Sequence, residues 1–179
     1  MLRVPGQDDG DDGGVITPYN PDWPRSFALE RQRLQGLIEA VSIDHIGSTS
    51  VPGLAAKPII DILVAVEAVE RLDEKAGVLQ AAGYDVLGEY GLVGRRYLRR
   101  HAPDGSRSHH IHVYQQGDES HRRHLVFRDY LRIHAHERDA YTAAKLALVE
   151  AGADRKAYQS GKGAFVAALE HRALAWAAQ

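Results

Sequence analysis

Apolar positions along the chain follow two rhythms. Phe27, Leu34, Leu37, Ile38 and Val41 recur at helical spacing, and Pro24 suits a first turn, so a first helix is expected to run to about Ala40. Residues 42–46 form a short strand candidate. Residues 59–66, IIDILVAV, are almost unbroken in apolar character and predict a central strand covered on both faces. Val69, Leu72, Ala76, Leu79 and Ala82 predict a second helix, stopped by Gly83. Residues 84–89, 95–100 and 108–114 read as three further strands separated by Gly-containing turns. From Asp118 the pattern is helical, with breaks near His136 and at 152–154. Residues 15–19 offer one more short strand. Residues 1–14 are rich in Gly and Asp, bury no apolar area and are expected to be a disordered tail, leaving 15–179 as a single domain. The order of elements is that of an α+β (mixed α/β) protein with helices gathered at the C-terminal end.

Composition narrows the partners. The formal charge is −2 and gives no global basicity, which argues against a nucleic-acid partner, although 95–107 and 121–138 are locally rich in Arg and His. The chain has no cysteine, so disulfides, thiolate metal sites and cysteine nucleophiles are excluded. No apolar run approaches the ~20 residues that span a bilayer. The start carries one Arg and then Asp and Gly, unlike a signal peptide. A cytoplasmic protein with no membrane partner is the expectation.

The chemistry concentrates in HIGSTSVPGLAAKPIIDI, residues 45–62. Gly47, Ser48, Thr49, Ser50 and Lys57 would offer backbone N–H groups, hydroxyls and a cation to a phosphate. Such a loop is also what an ordinary turn looks like. A P-loop is ruled out, because no Gly-Lys-Ser/Thr ending is present. Asp61 interrupts the apolar strand, and a carboxylate there needs an ion pair or a metal. Strand alternation puts Asp61, Leu63 and Ala65 on one face. His110 and His112 share a face of a later strand, and two imidazoles at that spacing can ligate one metal or grip a phosphate, or simply lie on the surface. Of Arg95, Arg96, Arg99 and Arg100, most are expected in solvent, with one or two reaching an anion. Arg128 and Arg132, one helical turn apart beside Asp129, read as a surface ion-pair cluster of little energetic weight. Lys162 falls within the apolar stripe of the last helix, where it either snorkels to water or enters the site.

HIGSTSVPGLAAKPIIDILV resembles the signature of the GrpB-like family, a branch of the nucleotidyltransferase superfold. PYNPDWPRSF, GLVGRRYLRR, SHHIHVY, HLVFRDYLRIHA and DRKAYQSGKGAF match later or flanking blocks in the same order. The resemblance implies a nucleotidyltransferase-like mixed sheet with flanking helices. It implies a phosphate-holding Gly47–Ser48 pair and a metal-holding Asp61. The superfold has a second acid one position on, where this chain has Leu63, and a third acid on the strand that here carries His110 and His112. Together these readings give Asp61, His110 and His112 as catalytic residues and as ligands of a divalent metal (Mg, Mn or Zn). Gly47, Ser48, Thr49, Ser50, Lys57 and Lys162 are left to hold a nucleotide or phosphorylated small molecule. The alternative is a non-catalytic phosphometabolite-binding module linked to coenzyme A metabolism, since family members occur fused to dephospho-CoA kinase.

Overall fold

The computed structural model describes residues 15–179, and the tail expected over 1–14 lies outside the described residues. Helix α1 (Trp23–Gln35) leads into β1 (Ala40–Ile46), a single 3-10 turn (Ser48–Ser50) and β2 (Ile60–Val66). Two short helices, α2 (Glu70–Glu74) and α3 (Ala76–Ala81), precede β3 (Tyr84–Val86), β4 (Arg96–His101) and β5 (Arg107–Gln115). Three helices finish the chain: α4 (Glu119–Ile133), α5 (Ala135–Glu150) and α6 (Arg155–Trp176). The strands form one sheet in the order β1-β2-β5-β4-β3. Only β2 and β5 run parallel; the other neighbours are antiparallel. The mixed α+β class is as the apolar pattern predicts, and β2 is an interior strand, flanked by β1 and β5, although the middle of the sheet is β5.

Boundaries differ where local turns override periodicity. Helix α1 stops at Gln35, short of Ala40. The Gly36, Leu37 and Ile38 amides bond back to Arg33 and Leu34, and β1 starts directly afterwards. The second helix is broken in two at Lys75, whose ψ of 3° lies off the helical value. The strand expected over 84–89 pairs for three residues, and the one expected over 15–19 reduces to a single bridge between Thr17 and Ala56. The break expected near His136 falls at His134, which joins α4 to α5.

The sheet separates two environments. One face carries Ile43, Ile60, Ile62, Val64, Leu98, Ile111 and Val113 and packs on Trp23, Leu34, Ile38, Leu72 and Leu79 from α1–α3. The other face meets α4, where Ile46, Leu63 and Tyr114 gather against Leu125. A third apolar cluster lies within α4–α6 and includes Val51 and Leu54 of the loop before β2. The arginines of β4 and Arg95 just before it are far less solvated than expected. Arg95 is fully buried and Arg99 is 9% exposed, Arg96 pairs with Asp73, and Arg100 reaches Glu30.

Candidate functional site

Registers place the predicted side chains in one row across the sheet. Asp61 of β2 lies opposite His110 of β5, and His110 lies opposite Arg99 of β4. One step along, Leu63, His112 and Tyr97 form the next row on the same face. Asp61 and the two histidines are therefore brought together, as their spacing predicts. Asp61 Oδ1 is 3.3 Å from His110 Nδ1 and 3.9 Å from His112 Nε2. Burial by itself pushes the Asp61 carboxyl up, but hydrogen bonding to His110 and then His112 outweighs it and holds the group well below the usual carboxylate range. Arg95 stands behind His112, with Nη1 3.5 Å from its Nδ1, and is itself fixed by the Tyr90 carbonyl at 2.7 Å.

Gly47 makes the close approach of loop and acid possible. It has φ 69°, and a Cβ there would stand 2.9 Å from Asp61 Cγ and closer still to Oδ2. The hydroxyls of the loop then divide. Ser50 Oγ donates to the Gly47 carbonyl at 2.7 Å, and buried Thr49 Oγ1 bonds His45 Nε2 at 3.0 Å. His45 stacks on Phe27, and burial first, opposed by Asp61, lowers its pKa to about 4, so it is neutral at pH 7. Thr49 and Ser50 thus shape the turn, and Ser48 faces the helices.

The helices answer with a set of cations. Arg128 donates to the His45 carbonyl at 3.2 Å, Arg132 to the Ser50 carbonyl at 3.0 and 2.9 Å, and Arg138 to the Pro52 carbonyl at 3.3 Å. Arg128 and Arg132 do contact Asp129 as expected, but their larger role is to hold the loop. Lys145 of α5 goes deepest. It is 3% exposed, donates to Ser48 Oγ at 3.3 Å and to the Ala55 carbonyl, and lies 4.3 Å from the Tyr141 ring centre. Burial, and next the charge of Lys162, lowers its pKa to about 7. Lys162 sits half-buried on α6. Gly161 beside it lets α6 approach α5, where a Cβ would meet Leu148 at 2.8 Å. Lys57 stands over the Tyr158 ring at 5.7 Å.

Sequence reasoning missed Lys145 and Tyr141 as site residues, and it named Arg95 and Arg99 only within a group of four arginines of which one or two would reach an anion. A signal existed for Lys145: it interrupts AALALV-like apolar sequence one turn after Tyr141, as Asp61 interrupts its strand.

The donor set does not fit a two-ion centre. Leu63, in the second acidic position, is fully buried against Ile46, Tyr114 and Leu125. Among the described residues no group of three or more His, Cys, Asp or Glu side chains is arranged to hold a metal ion; both histidines are turned onto Asp61.

The Gly-Ser turn closing on a strand acid, beside a parallel strand with inward-facing polar residues, sits in a nucleotidyltransferase-like fold. Cid1, described for its RNA terminal uridylyl transferase activity, superimposes with a TM-score of 0.50 at 12% identity, over 73% of this chain and 41% of its own, a likeness of fold alone. The chain belongs to the GrpB family: the profile described as GrpB protein matches residues 15–172. The crystal structure of conserved protein GrpB from Enterococcus faecalis has a TM-score of 0.85 and 40% identity, covering 92% of this chain and 100% of that one. Protein YqkA of Bacillus subtilis is 39% identical over 90% of this chain, which spans 47% of YqkA. A dephospho-CoA kinase of Mycolicibacterium paratuberculosis is 30% identical over 90% of this chain, which spans 46% of that enzyme. Among the described residues no helix is long and apolar enough to cross a membrane.

Proposed function

We propose that this chain binds the phosphates of a nucleotide or phosphorylated metabolite between the Gly47–Ser50 turn and α5, as a nucleotidyltransferase-like protein. The observation that carries this reading is Lys145, an almost fully buried ammonium aimed at Ser48 Oγ beside the Gly47–Asp61 contact. Such a lysine is costly without an anion to meet it. In this reading Ser48 and the turn amides hold phosphate oxygens, and Lys145, Lys162 and Lys57 neutralise charge. Asp61, His110 and His112 orient the ligand from below. A single divalent ion, if taken up, would replace the Asp61–histidine hydrogen bonds and supply Lewis-acid chemistry there.

A second reading, binding without turnover, is favoured by Leu63, whose burial leaves no room for a second acid. The test is a thermal-shift and calorimetric screen of the four nucleoside triphosphates, with and without Mg or Mn. Dephospho-CoA belongs on the panel, because relatives of this chain carry that kinase's name. Binding is expected to fall at least tenfold in Lys145→Met. Pyrophosphate release that vanishes in Asp61→Asn would establish the transferase; saturable binding with no product would establish the module. No binding by any phosphate compound, with the variants folded, refutes both.

A further inference from the structure

Arg99 is a second buried cation on the same face, and nothing in the phosphate-binding turn uses it. It sits across His110 from Asp61, in the same row. With strands about 4.8 Å apart, Arg99 and Asp61 are separated by roughly 10 Å at the backbone. The Arg99 side chain is 9% exposed. Its guanidinium is flanked by two aromatic rings, Tyr90 at 4.6 Å and Tyr97 at 5.3 Å from their centres.

The informative feature is which atoms are left over. Nε and Nη2 of Arg99 are buried and make no hydrogen bond, and the side chain's polar neighbours are the Tyr97 and Tyr90 side chains rather than an acid. These two nitrogens form one edge of the guanidinium fork. In this same molecule that edge grips acids two-pronged: Arg96 holds Asp73 with Nε and Nη2 at 2.6 and 2.8 Å, and Arg172 holds Glu137 with the same pair at 2.6 and 2.9 Å. Arg99 has an acid opposite it on β3, Asp85, but that carboxylate is engaged by His101 at 2.9 Å. Asp61 is engaged by His110. A buried guanidinium whose bidentate edge meets no carboxylate of the described residues is costly as it stands and complete with an external oxyanion.

The loop that covers Arg99 is held in an unusual state. Tyr90 has φ 44°, the one non-glycine residue with positive φ among those described. Its carbonyl is pinned by Arg95 and its ring lies on Arg99. Strain of this kind gathers at ligand clamps.

We propose that the Nε/Nη2 edge of Arg99 is the docking point for a planar pair of oxyanion oxygens, from a carboxylate or a phosphoryl group, with Tyr90 folded over it. Its place across His110 from the turn assigns it to a second ligand group, on the acceptor side. That assignment rests on the function proposed above; the anion site itself does not.

The test follows the Nε–H resonance of Arg99 by NMR in the whole chain, titrated with sodium phosphate and, separately, sodium acetate, at ionic strength matched with chloride. Saturable movement with acetate marks a carboxylate, with phosphate a phosphoryl group, and with both the shared chemistry. Arg99→Lys keeps the charge and loses the fork, and should weaken the response at the neighbouring Tyr90 and His110 resonances at least tenfold. Lys145→Met should leave the Arg99 response intact while removing nucleotide binding at the turn. In the unsubstituted chain, an Arg99 response with no nucleotide bound at the turn would sink the function above and spare this site. An Arg99 resonance that moves equally with chloride, or not at all, overturns the site whatever the turn binds.

Discussion

On one face of the sheet a buried acid is closed off, and on the other a half-buried acid is left open. Glu30, 2% exposed on α1, accepts from the Tyr84 hydroxyl and from Arg100 at 2.6 Å, with Arg33 at 3.7 Å. All its partners come from packed elements, and the surroundings are the main apolar core. Asp61, by contrast, keeps 29% of its side chain exposed and is faced by imidazoles, a glycine with no Cβ and, one strand further, an arginine with a bare edge. A satisfied acid fastens helix to sheet. An acid ringed by groups that still have capacity marks a place for something else.

The comparison can be broken from its stable side first. Glu30→Ala should leave Tyr84 and Arg100 without their acceptor and cost about 3–5 kcal/mol. Ile62→Ala, on the same face, should cost about 2–5 kcal/mol. Both are read from urea midpoints, and neither should change ligand affinity once corrected for the folded fraction. Equal losses from Asp61→Asn would erase the distinction drawn between the two acids.

Gly47→Ala should cost about 1–2 kcal/mol from its positive φ alone. Gly105→Ala, with φ 84° and nothing within 4 Å of its Cβ, provides the matched control for that strain. The excess of the first over the second measures the clash with Asp61, and phosphate binding should be lost in Gly47→Ala alone.

Lys145 gives a pH signature. Its folded pKa, about 7, lies below the ordinary 10.5, so between those values the unfolded chain holds more protons than the native one. Stability should therefore rise with pH through that window, by at most about 1.4 kcal/mol per unit, and Lys145→Met should remove that rise. Phosphate affinity should run the other way and weaken above pH 7, as the ammonium loses its charge. The smallest effect belongs to Arg96→Ala, which removes the outward pair with Asp73 and should change stability by no more than about 1 kcal/mol in denaturant melts.

The fold was legible because apolar runs and turn residues agree with it: IIDILVAV supplies the interior strand β2, and the three strands after Gly83 are present. Asp61, His110 and His112 were legible because strand alternation fixes a side chain's face from its position alone. The helical half of the site was not. Arg128, Arg132 and Lys145 occur in sequence as solvated helix charges do, and their burial depends on where α4 and α5 pack. Arg99 looked like one member of a basic run. Alternation groups Arg95 with Arg99 and Arg96 with Arg100, but which pair turns toward His110 depends on register, and no local pattern encodes that.

The clamp on the loop also sets an order of events at the ribosome. Ser48 and Lys145 are 97 positions apart, and Ser50 and Arg132 are 82 apart. Synthesis at about 5–20 residues per second delivers the loop several seconds before the cations that fasten it. During that interval the strands can pair while the 47–55 segment lacks its partners. Ligand capacity should therefore switch on abruptly as α5 clears the exit tunnel, after the last strand has already been made. Chains stalled before that point should be protease-sensitive within 47–55 and protected along β2.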